Sequence, residues 1–163
     1  MSQAILNTAR IVRGKALHQI SAIPEELFDI QPPSFNNTIR WNVGHIVTTL
    51  EGLLNRGGVA LNSNLPESYR PLFTGKSKPS EWTIAPPSKE ELVNYLSRQL
   101  QAISEFPAET LDNKFEPPIQ LGSMSFGTAG ELFNFGFVHE TMHGEAIKYI
   151  LKAIHHMQTQ AQV

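Results

Sequence analysis

The capping box Thr128-Ala-Gly-Glu131 opens a run, LFNFGFVHETMHGEAIKYILKAI, whose apolar residues keep the 3.6-residue period. Leu132, Phe135, His139, Met142, His143, Ala146 and Ile150 fall on one continuous stripe. A helix of this length with one apolar face must bury that face against other helices or a sheet. The stripe carries two histidines, so both are expected to point into the protein.

The rest of the chain supplies helices for it to pack on. The first is expected over 2–23, where Ile5, Ala9, Val12, Ala16 and Ile20 keep helical spacing until Pro24. The second is expected over 38–56, from an N-cap at Asn37 or Thr38 to Gly57–Gly58. It has an apolar face (Ile39, Val43, Ile46, Val47, Leu50, Leu53 and Leu54) and a second stripe of Trp41, His45, Thr48, Thr49 and Gly52. Two faces withheld from solvent place it inside a bundle. A second capping box, Ser88-Lys-Glu-Glu91, starts the third over 89–106, and the last is expected over 128–157.

The long connection between helices two and three reads as a structured lid or a crossover. The stretch FEPPIQLGSMSFGT reads as a short hairpin turning near Gly122. No central sheet is expected. The predicted fold is therefore all-α, a four-helix bundle in one domain spanning 1–163.

Net charge is −2 and no run of Lys or Arg occurs, which argues against a nucleic-acid or anionic-membrane partner. No apolar run approaches membrane-spanning length, and the N-terminal stretch reads as an amphipathic helix rather than a leader, so a cytoplasmic protein is expected. The chain has no cysteine, which excludes disulfides, thiolate ligands and a cysteine nucleophile.

HETMH, residues 139–143, has the H-E-x-x-H form of a zinc protease. Two histidines four apart share a helix face, and an unpartnered imidazole on an apolar stripe is costly. A protease site needs a third ligand downstream. Ala146 and Tyr149 stand where a metzincin has Gly and His, and no acidic residue follows Glu145. His155 and His156 lie about 18 Å further along by helix rise. The protease reading fails, and a third ligand has to come from upstream.

His18 reads as a surface histidine on helix one. His45 sits mid-helix among small residues that leave room for a cavity, and reads either as a ligand or as a buried imidazole bonded to a neighbouring carbonyl. With His45, His139 and His143, three imidazoles from two helices form a facial site with open positions. Glu140 is a general-base or outer-partner candidate, but it points about 100° from His139. Solvent exposure or a salt bridge is the simpler reading.

The segments PEELFDIQPPSFNNTIRWNVGHI and LGSMSFGTAGELFNFGFVHETMHGEAI resemble the DinB-like family, which carries one metal histidine in a W-x-x-G-H segment and an H-x-x-x-H pair on a later helix. The resemblance spans most of the chain and is thinnest between Gly57 and Pro87. It implies an up-down-down-up four-helix bundle, often a homodimer, with zinc, nickel or iron on His45, His139 and His143. Characterised relatives are transferases and isomerases using thiols such as bacillithiol, mycothiol or glutathione. The implied function is a metal-dependent enzyme acting on a small molecule, foremost an S-transferase joining a thiol to an electrophile. The alternatives are a metal-dependent hydrolase and a non-catalytic metal-binding or sensing bundle. Many relatives carry His or Gln just after the second ligand of the pair, where this chain has Gly144-Glu145-Ala146.

Overall fold

The computed structural model describes residues 1–61 and 63–161. Its frame is four long helices: α1 (Ser2–Ser21), α2 (Ile39–Arg56), α4 (Lys89–Glu105) and α5 (Ala129–Gln160). A short helix, α3 (Tyr69–Leu72), interrupts the connection between α2 and α4. The only sheet among the described residues is the hairpin of β1 (Lys114–Leu121) and β2 (Met124–Thr128), with Gly122 in the left-handed region at its turn. The all-α expectation holds.

Local chemistry sets the boundaries. Both capping boxes form, Ser88 with Glu91 and Thr128 with Glu131. Thr38, rather than Asn37, caps α2, its hydroxyl accepting from the Trp41 amide. α1 ends at Ser21, two residues before the expected end, with Pro24 just beyond. α5 runs three residues past its expected end.

The long helices pack in the cyclic order α1–α4–α2–α5, so the consecutive helices α1 and α2 lie on a diagonal. Central α2 is buried over the unbroken run Ile39–Val47 as well as at Leu50, Leu53 and Leu54, as its two apolar faces require. The α5 stripe needs one correction. Met142 is 68 % exposed. Residues 142 and 143 are 100° apart on a helix, and His143 takes the inward direction. Phe126, Phe133 and Phe137 are buried within the single bundle, and Phe135 is half-buried.

One buried polar network ties all four long helices together. Arg13 of α1 is fully buried and forks onto Glu140 of α5, with Nε and Nη2 donating to the two carboxylate oxygens at 2.9 and 2.7 Å. Its Nη1 donates to Gln99 of α4, whose amide donates to the Val47 carbonyl of α2. Every charge-bearing atom has a partner, which burial of this kind requires.

The connection is packed rather than free. Leu72 and Phe73 are buried against Trp41. Trp41 Nε1 donates to the Ser77 hydroxyl, and the Ser77 hydroxyl and Trp82 indole both donate to the Leu72 carbonyl. It therefore forms a fixed wall beside α2.

Candidate metal centre

His45, His139 and His143 come together. Each offers one ring nitrogen, and these lie within 4.8 Å of one another. His45 is 8 % exposed and the other two are half-buried. His18 is exposed on α1, as expected.

Hydrogen bonds decide which nitrogens face the centre. His45 Nδ1 lies 2.6 Å from the Phe73 carbonyl, which can only accept, so Nδ1 carries the proton. The Nε2 lone pair then faces inward, 3.2 Å from His139 Nε2. His45 is bonded to a carbonyl by one nitrogen, as one reading has it, and its other nitrogen faces His139. His143 is set by a longer chain. The Asn42 amide donates to the Thr38 carbonyl at 2.8 Å, which turns Asn42 Oδ1 toward His143 Nδ1, also at 2.8 Å. His143 Nδ1 is therefore the donor, and its Nε2 is free to ligate. Such outer hydrogen bonds fix tautomer and ring direction at metal-binding histidines.

The residues fit a metal ion. Two imidazoles on one zinc at the usual bond length stand about 3.3 Å apart, close to the His45–His139 spacing. Burial pushes the His139 and His143 pKa values down to about 4, assisted by the neighbouring rings, and burial also lowers His45. At pH 7 all three rings are neutral, which is the ligating form.

The W-x-x-G-H segment now has a physical account. Trp41 stacks on the His45 ring, with centroids 4.6 Å apart and planes 14° from parallel. A Cβ at Gly44 would lie 2.4 Å from the buried Phe73 ring, so glycine is what lets Phe73 approach and bring its carbonyl to His45. Gly44→Ala is therefore expected to cost about 1–3 kcal/mol of stability, and to weaken metal binding roughly 10–100-fold by displacing that carbonyl. Thermal melting and a competitive chelator titration read the two effects. Unchanged affinity in Gly44→Ala would remove the role given to Phe73.

A cleft of about 710 Å³ opens beside His45, lined also by Thr48, Thr49, Arg56, Arg70 and Leu121. Glu140 does not face it. Its carboxylate is 2 % exposed and held by Arg13, so the salt-bridge reading is the one observed and the solvent-facing one is corrected. Sequence reasoning missed the Phe73 carbonyl and Asn42. A main-chain acceptor leaves no mark in a sequence, and Asn42 acts only once α5 is docked.

Fold and site together define a helical bundle with a cluster of three histidines, one of which, His45, lines an open cleft. The profile of the DinB superfamily matches residues 9–147, and the chain belongs to that superfamily. No curated protein matches the chain.

Proposed function

We propose that the protein is a metal-dependent enzyme acting on a small molecule, and that it joins a low-molecular-weight thiol to an electrophile. The observation that carries this reading is the close set of three histidines, with His45 and His143 oriented by outer hydrogen bonds and His45 lining a cleft. A divalent ion held there supplies Lewis-acid chemistry, lowering the pKa of a thiol or water in an open position.

The chain's own groups favour the thiol. With no cysteine in the chain, the sulfur nucleophile has to arrive as a cosubstrate. The lining of the His45 cleft contains no carboxylate, and Glu140 is committed to Arg13, so no side chain there is placed to take a proton from water. A thiol, with a pKa near 8.5 for a cysteine-like group, needs only to be ionised. His45, His139 and His143 would hold the ion, and the stacked Trp41 keeps His45 from rotating.

Elemental analysis of untagged protein, followed by assay of bacillithiol, mycothiol and glutathione with an aryl chloride, tests the proposal. Thioether and chloride should form together, stop on chelation and return with metal. Ester cleavage without thiol would favour the hydrolase instead. Tight metal with neither activity would favour the sensing bundle.

The proposal extends to a homodimer in the cytoplasm, where small thiols are kept reduced. Beside the family resemblance, its support is the exposed apolar stripe of Val138, Met142 and Tyr149 on α5. Light scattering at micromolar concentration should give twice the chain mass. A monomer mass would remove this part.

A further inference from the structure

We propose that the small molecule taken by the His45 cleft carries an anionic oxygen group, a carboxylate or phosphate, bound by Arg56 and Arg70 at the end of the cleft away from the histidines. The inference rests on the cleft being the substrate site of the proposed function.

Four observations carry it. First, both arginines line the cleft that His45 opens on, and they come from different elements, α2 and α3. Second, that lining contains no Asp or Glu, while the Thr74 hydroxyl adds a neutral donor. Third, neither guanidinium has an ion-pair partner among the described residues, whereas Arg13 and Arg40 do. Arg56 is also not needed to cap α2, because the amides of Gly57, Gly58 and Val59 already reach the helix's last carbonyls. Fourth, Arg70 reaches over Gly52. A Cβ there would meet Arg70 Nη2 in ordinary contact at 3.8 Å, and only a longer side chain would fill the space beneath the guanidinium.

Carboxylates do lie on the far side of Arg70, in an adjoining hollow lined by Glu51 and Glu67. Neither pairs with Arg70, and Glu51 is engaged by Ser63 and Gln99. Arg70 is therefore open to a ligand anion in the cleft, and a planar guanidinium suits a carboxylate or phosphate geometrically.

The spacing restricts the ligand further. Gly52, beneath Arg70, is seven residues beyond His45 on α2, roughly 10 Å along the axis. The anionic group should thus sit several bonds from the reacting atom, so a thiol with an adjacent carboxylate would be too short to reach both.

The test uses a matched pair of thiols, 6-mercaptohexanoate and neutral 6-mercaptohexan-1-ol, titrated into the cobalt(II)-loaded protein and followed by the metal's absorption. The carboxylate should bind at least about tenfold more tightly, the scale of one charge-assisted contact at a partly exposed site. Arg56→Ala/Arg70→Ala should erase that preference while leaving cobalt content and melting temperature unchanged, since both side chains are exposed. Inorganic phosphate and propionate added as competitors distinguish phosphate from carboxylate recognition. Equal binding of the two thiols, or a preference that survives in the double variant, overturns the inference and leaves the metal reading intact. If no cobalt binds, the proposed function falls, and hexanoate is titrated into the metal-free protein by calorimetry. Binding abolished by the double variant keeps the anion site, and no binding removes it.

Discussion

His45→Ala is expected to lower metal affinity more than about 100-fold, beyond the 10–100-fold that loss of an outer hydrogen bond causes. It removes one of three nitrogens, and it also empties the place between Trp41 and the Phe73 carbonyl that held the ring. His143→Ala should behave alike, since Asn42 then has no ring to orient. The comparison separates this centre from a protease site, where the H-E-x-x-H pair would keep its ion without an upstream histidine. Bound metal, measured by mass spectrometry on dialysed protein, decides. Full occupancy in His45→Ala would mean that the ion does not sit among these three rings.

Glu140→Gln should unfold the protein about 10 °C earlier without affecting metal binding in the folded state. The amide keeps the shape of the carboxylate but leaves the fully buried Arg13 without its counter-charge. Breaking a buried pair by removing one partner costs about 3–5 kcal/mol, and a chain of this size loses about 2–4 °C per kcal/mol. Replacing both partners with apolar residues of similar volume, as in Arg13→Met/Glu140→Leu, should recover most of that loss. Thermal melts of the three proteins beside their metal content, taken well below the transition, check both parts. If Glu140→Gln melts like the parent, the ion pair contributes little. If it loses metal while folded, Glu140 belongs to the site after all.

The helices were legible because their ends are marked by local chemistry, with two capping boxes, a threonine cap and prolines just outside. The ligand pair was legible because helical spacing puts His139 and His143 on one face, and His45 because small residues surround it. The Arg13–Glu140 pair lay half in view. Leu6, Ala9, Arg13, Ala16 and Ile20 keep a three-four spacing along α1, and all five are buried. Gln99 continues the spacing of Leu92 and Leu96 on α4, and all three are likewise buried. A charge at such a position announces a buried partner, but not which one, because the partner lies 127 residues away. Met142 was misread because the stripe on α5 was drawn wide enough to include two adjacent residues. Arg56 and Arg70 became a pair only when the connection folded along α2.

His45 takes its orientation from the main chain of the connection, and this shapes how the site tolerates change. A carbonyl cannot be deleted by substituting its residue, so the bond from His45 to Phe73 depends on the path of the chain. Replacements at Thr74, Gly75 or Lys76 that preserve the path should leave the imidazole where it is. An inserted or deleted residue between Phe73 and Ser77 is different. Ser77 is tied to Trp41 and Leu72, so any slack or shortfall must be taken up at Phe73 itself. The lining of the cleft can thus diversify by point replacement while its length stays fixed, which separates changes that alter what enters the cleft from changes that disturb the histidine at its floor.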